Sequence, residues 1–272
     1  MKRFLFLLLG LWAAVAVAAA PAWRTSPKAS VLVVGGSMMN GNHFADSTLP
    51  TMREHYRGCR TVALVLHASH PTERDRMEAR LREAFAHLGG IEATSLHRRD
   101  AAGALTLLAE ADGIFVGGGE TFVLLGELQR TGQLAAIRAR VLAGAPYAGS
   151  SAGANVAGLL IGTTNDFPTG EIATRDALAV IPATINPHHP MPEQKADYDS
   201  RVGKIKTYLK FNPAERVLAL GNAAMVRLHA GRATVAGGAV WLYAGDTQRA
   251  LPVGTEVPEL VRPVLGKPLS TP

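Results

Sequence analysis

Five short apolar runs constrain the fold most: "SVLVVGG" (30–36), "TVALVLHAS" (61–69), "GIFVGGG" (113–119), "APYAG" (145–149) and "ALAVIPATI" (177–185). They are rich in Val, Ile and Leu and lack alternating polar residues, the pattern of strands buried on both faces. Amphipathic segments separate them. In "PTERDRMEARLREAFAHLGG" (71–90), Met77, Leu81, Phe85 and Leu88 share one helical face, Pro71 suits the first turn, and Gly89-Gly90 suits the stop. This alternation predicts an α/β fold with a mostly parallel sheet flanked by helices, in which ligands gather beyond the carboxyl ends of the strands. Toward the C-terminus, "AMVRLHAGRATVAGGAVWLYAG" (224–245) breaks into short strands at His-Ala-Gly and Gly-Gly, which predicts antiparallel hairpins added at the sheet edge.

The first residues, "MKRFLFLLLGLWAAVAVAAAPAW", join a basic Lys2-Arg3 pair to an apolar run and a small-x-small site at Ala16-Val17-Ala18. That is the layout of an export signal, with a retained membrane anchor as the alternative. The apolar run is short for a bilayer span of about 20 residues and is followed at once by small residues and Pro21. Residues 1–20 are therefore set aside as a signal peptide, and the protein is expected to be periplasmic or secreted, without a stable membrane anchor. Residues 25–260 are read as a single α/β domain, because no linker, repeat or low-complexity stretch interrupts them. Loss of Lys2 and Arg3 lowers the formal net charge from +6 to +4. The remaining basic residues are interleaved with acids, so they describe solvated helix faces rather than a nucleic-acid surface. The single cysteine, Cys59, has no partner for an internal disulfide, and with no C-x-x-C or paired Cys/His spacing it suggests neither zinc nor thiol redox chemistry.

Three glycine-rich segments follow predicted strands. Neither "GGSMMNGN" (35–42) nor "VGGGETF" (116–122) fits a dinucleotide fingerprint or a P-loop, so no nucleotide cofactor is expected. The second can aim backbone N–H groups without a Cβ in the way. "GSSAGANVAG" (149–158) is more specific, because Gly149-Ser150-Ser151-Ala152-Gly153 fits G-x-S-x-G between a strand and an apolar helix. A sharp turn there would lift the Ser151 hydroxyl off the strand beside the N–H of Ala152; a tight turn with a capping serine is the plainer alternative. A nucleophilic serine needs a base. Among nine histidines, His188 in "TINPHHPMP" follows a strand that Asn186-Pro187 would end, at the edge where Ser151 should emerge. His189 should point elsewhere, and no carboxylate cluster or H-E-x-x-H accompanies the pair to suggest a metal.

"GGGETFVLL", "GSSAGANVAG", "TTNDFP" and "INPH", in this order and spacing, resemble the peptidase E (aspartyl dipeptidase) branch of the serine peptidases, which also includes cyanophycinases. The resemblance spans roughly residues 30–245. It implies an enzyme without a cofactor that removes N-terminal aspartate from small acidic Asp-X dipeptides. By the same resemblance, Ser151 is the nucleophile, His188 the base, and Gly119 and Ala152 the oxyanion donors. Asp166 falls on an acidic position important in the family. Arg201, in "DSRVGKI", falls on a basic residue expected to hold the substrate's aspartyl carboxylate, or else it is a surface arginine that is solvated or paired with Asp197. One departure stands out: where the family has a glutamate after the strand reading "RVLAL", this chain has Asn222 in "LGNAAMV". An amide oxygen can orient an imidazole but brings no negative charge, so Asn222 or Asp166 is the third member. Two other functions stay open, a cyanophycinase-like hydrolase of β-aspartyl-arginine and a silent periplasmic protein that binds acidic peptides.

Overall fold

The structure, a computed structural model, describes residues 26–262. The signal call at 1–20 and most of the tail lie outside the described residues. Four of the apolar runs form strands, over Ser30–Val34, Thr61–Val65, Gly113–Val116 and Pro146–Ser150. With Glu92–Ser95 they make five parallel strands, and the strands Met225–His229 and Arg232–Gly237 add an antiparallel hairpin beside Ser30–Val34 to complete a seven-stranded sheet. Successive residues point into different apolar layers: Val31, Val33, Ala63 and Val65 join one cluster, Leu32, Val34, Val62 and Leu64 the other. Both faces of the sheet are thus covered, which is why these strands carry no polar alternation.

The helix expected after Pro71 runs from Arg74 to Gly89, behind a 3-10 turn at Pro71–Glu73. It buries Leu81, Phe85 and Leu88, and it stops where Gly90 turns left-handed at φ 78°. Cys59 is half-buried against the same cluster, and burial pushes its thiol up to about 11.

Two expectations need correction. Over 177–185 only Thr184–Asn186 is a strand. The preceding residues are buried, but their amides bond to the C-terminal end of the short helix Ala152–Ala157: Leu178 donates to Val156 O, and Val180 and Ile181 to Ala157 O. The run is apolar because it plugs the end of that helix, whose last carbonyls lack partners within the helix. Nor do the C-terminal strands all join one sheet edge. Val240–Ala244 and Thr247–Leu251 form a hairpin in a second, four-stranded sheet with Arg216–Leu220 and Thr184–Asn186. The chain passes from the second sheet to the first through Gly221–Ala224, between the strands Arg216–Leu220 and Met225–His229.

The helix Ala152–Ala157 packs directly on the main sheet. A Cβ on Gly153 would stand 2.2 Å from Val116 O. We therefore expect Gly153→Ala to destabilise the protein by about 1–3 kcal/mol in urea denaturation. Gly203, exposed within the helix Lys195–Phe211, has nothing within 4 Å of such a Cβ. Gly203→Ala should be neutral or stabilising by about 1 kcal/mol in the same measurement.

Candidate active site

The turn after Pro146–Ser150 answers which serine is presented. Ser150 is buried, whereas Ser151 is partly exposed and adopts φ 54°, ψ −112°, a conformation that L-residues rarely take. Its amide donates to Val34 O at 3.0 Å, extending the pairing of Val34 with Ser150 and fixing the turn against the neighbouring strand. The flanking glycines let the turn close. A Cβ on Gly149 would lie 2.3 Å from Gly153 O, the oxygen that accepts the buried Tyr147 hydroxyl at 2.6 Å.

Facing this elbow, His188 Nε2 lies 2.8 Å from Ser151 Oγ, and His188 Nδ1 lies 2.6 Å from Asn222 Oδ1. An amide oxygen only accepts, so Nδ1 carries the proton and Nε2 is left with a lone pair for the serine O–H. The imidazole is held by three strand-end turns. His188 N donates to Gly35 O at 3.0 Å, Ala223 N to Gly36 O at 2.7 Å, and Gly35 N to Ala224 O at 2.9 Å. Gly36, at φ 125°, has the ring where a side chain would be, since its Cβ would stand 2.1 Å from His188 Cε1. Sequence reasoning weighed this glycine only as part of a nucleotide loop.

The triglycine turn flanks the serine. A Cβ on Gly118 would lie 3.0 Å from Ser151 Cβ, and one on Gly119, at φ 132°, would stand 2.2 Å from Ala68 O. Among the described residues no backbone acceptor is paired with the N–H of Gly119 or of Ala152. Asp166 is placed differently from the imidazole's partner. Its Oδ2 accepts from Thr121 N at 2.8 Å, in the first turn of the helix Thr121–Arg130 that follows the triglycine turn. The carboxylate caps that helix and ties the 163–169 loop to it.

Arg201 lies on the helix Lys195–Phe211 with its Nη1 at 3.1 Å from Asn186 Oδ1 and at 3.4 Å from His188 O. It makes no ion pair among the described residues, Asp197 included. Burial pulls its pKa below the usual guanidinium value, with Asp197 opposing. Asn186, missed as a site residue, is the hub of this layer. It is buried and donates to Thr163 O at 2.6 Å, while Asn165 Nδ2 donates to Pro187 O at 3.0 Å. The "TTND" and "INPH" segments are thus bonded to each other. As expected, His189 turns away, into a cage of Tyr198, Trp241 and Tyr243; burial lowers its pKa to about 4 and keeps it neutral near pH 7.

A parallel sheet ending in a strained serine turn, faced by an imidazole that a third side chain orients, is the arrangement of a hydrolase of mixed α/β architecture. The comparisons are more specific. The sequence model of Peptidase family S51 matches residues 31–236. A protein named Peptidase E from Streptomyces coelicolor is 32% identical over 236 residues, covering 85% of this chain and 95% of its own. One of the same name from Pasteurella multocida is 34% identical over 233 residues, covering 83% and 97%. In the solved structures, a peptidase from an acI-B1 actinobacterium superposes with a TM-score of 0.65 at 17% identity over 84% of this chain and 96% of its own. A candidate peptidase E from Listeria monocytogenes EGD-e gives 0.58 at 22% identity over 82% and 99%. The chain belongs to peptidase family S51.

If Asn222 orients His188, Asn222→Ala should lower kcat by about tenfold or more with little change in KM, because the freed ring can take the wrong tautomer or rotamer. Steady-state kinetics on a cleaved dipeptide check this, and an unaltered kcat removes Asn222 from the site.

Proposed function

We propose that this peptidase is an exported serine dipeptidase that releases N-terminal aspartate from Asp-X dipeptides. The observation that carries this reading is the hydrogen-bonded chain Ser151–His188–Asn222, with Ser151 Oγ 2.8 Å from the imidazole. In the proposed mechanism Ser151 Oγ attacks the scissile carbonyl and its proton passes to His188 Nε2. The oxyanion forms between the N–H groups of Gly119 and Ala152. His188 then protonates the leaving amine, and water enters with the same imidazole as base to hydrolyse the acyl-enzyme. Asn222 accepts from Nδ1–H throughout but adds no charge beside the imidazolium, which predicts a slower enzyme than one with a carboxylate there.

Support for the aspartyl preference comes from Arg201, a half-buried cation next to the His188 backbone that makes no ion pair among the described residues. A substrate carboxylate would supply the missing partner, and a guanidinium can meet it with two parallel hydrogen bonds. The leader-like residues 1–20 support action outside the cytoplasm.

Two variants and one substrate panel test the proposal. Ser151→Ala should abolish turnover, and its loss of labelling by a serine-directed fluorophosphonate should match; persistent hydrolysis would place the nucleophile elsewhere. Arg201→Ala should lower kcat/KM for Asp-X by on the order of 2–5 kcal/mol, roughly 30-fold to several thousand-fold, and reduce Asn-X cleavage far less. An equal loss on both substrates would mean that Arg201 only props the His188 loop. Efficient cleavage of β-Asp-Arg over Asp-X would favour the cyanophycinase-like reading.

A further inference from the structure

We propose that His43, Glu83 and His87 form a binding site for a borderline divalent transition-metal ion of the Zn2+ class, on a face of the molecule that the peptidase reading does not use. One ligand atom from each residue lies within 4.8 Å of the others. Glu83 and His87 are four residues apart on the helix Arg74–Gly89, so their side chains leave the same face. His43 comes from a small hairpin, Met39–Asn40 with His43–Phe44, whose Phe44 packs edge-on against Phe85 of that helix at 5.4 Å.

The ligands are oriented in advance. His87 Nδ1 lies 2.7 Å from Glu83 O, a carbonyl that can only accept, so Nδ1 carries the proton and Nε2 presents its lone pair. Asn42 Nδ2 donates to Glu83 Oε2 at 2.8 Å, leaving Oε1 toward His43 Nε2 at 3.9 Å. Bonds of about 2.0–2.2 Å to zinc set neighbouring ligand atoms about 3.4 Å apart. The three exposed side chains need to close by roughly 1 Å or slightly more to meet one ion, within the reach of ordinary rotamer adjustment. Two imidazoles and a carboxylate suit Zn2+, Ni2+ or Cu2+ and not Mg2+. An adjoining hollow of about 340 Å³, lined by Asn40, Asp46 and Arg53 among others, leaves room for water in the remaining positions.

A second cluster, Asp75, Glu78 and His97, is the weaker candidate. Its carboxylates already hold Arg98, at 2.6 Å from Glu78 and 3.0 Å from Asp75, so a metal would have to displace a cation.

The test is calorimetric titration of the tag-free protein with Zn2+, with Mg2+ in a parallel titration. One Zn2+ per chain should bind with a Kd on the order of micromolar, and Mg2+ should not. His43→Gln and His87→Gln should each weaken binding about tenfold or more, and Zn2+ should raise Tm in the unmodified protein but not in His87→Gln. Both positions are exposed, so circular dichroism should show both variants folded. Unchanged affinity in both variants, no binding by the unmodified protein, or loss of binding in His97→Gln alone would overturn the assignment.

Discussion

The hydrogen bond between His188 and Ser151 joins two sheets, and most of the architecture can be understood as what holds its ends in place. Ser151 stands at the end of a strand in the seven-stranded sheet, and His188 follows a strand of the four-stranded one. Neither residue can reach the other unless the sheets dock in one register. That register is set by backbone hydrogen bonds at the turns: Gly35 and Gly36 accept from His188 and Ala223, while His189 N donates to Leu220 O at 2.9 Å within the four-stranded sheet. Left-handed conformations at His188 and Ala223, φ 52° and 56°, mark the strain that these bonds sustain.

Beneath the site lies a second layer of polar contacts with no reacting atoms. Asn186, Asn165 and Arg201 knit the loop of 163–169 to the turn at Pro187–His188, and Asp166, the residue after Asn165, fastens the same loop to the helix behind the triglycine turn. The loop therefore spans from the imidazole's support to the backbone amides beside the serine. A side chain in this layer can shift both sides of the cleft at once, so orientation and binding are coupled there.

Much of this was legible in the chain itself. Unbroken Val, Ile and Leu runs report strands covered on both faces, and the small residues around Ser151 report a turn with no room for side chains. The position of His188 was legible because Asn186-Pro187 ends the strand just before it, and Asn222 was legible only through the family resemblance. What stayed hidden depends on contacts remote in sequence. The run 177–183 is as apolar as a strand, yet its amides serve a helix end, and composition records burial without recording the hydrogen-bond partner. Likewise, nothing in "RVLAL" or "AVWLYA" states which sheet it joins. Gly36 is explained only by an imidazole from a turn some 150 positions away, and His43 finds Glu83 only once the hairpin has packed on its helix.

The division of the site between two sheets also spreads its parts along most of the described chain. Ser151 and its elbow are complete once the parallel strands up to residue 150 have paired, but Asn222 arrives only after Arg216–Leu220, the strand on which Thr184–Asn186 hangs. The next strand, Met225–His229, then returns to pair with Ser30–Val34 at the other end of the sequence. In the proposed mechanism, a chain that ends before residue 188 would hold Ser151 without the imidazole that it needs. The proposed site is complete only when strands from both ends of the described residues, Ser30–Val34 and Met225–His229, have paired.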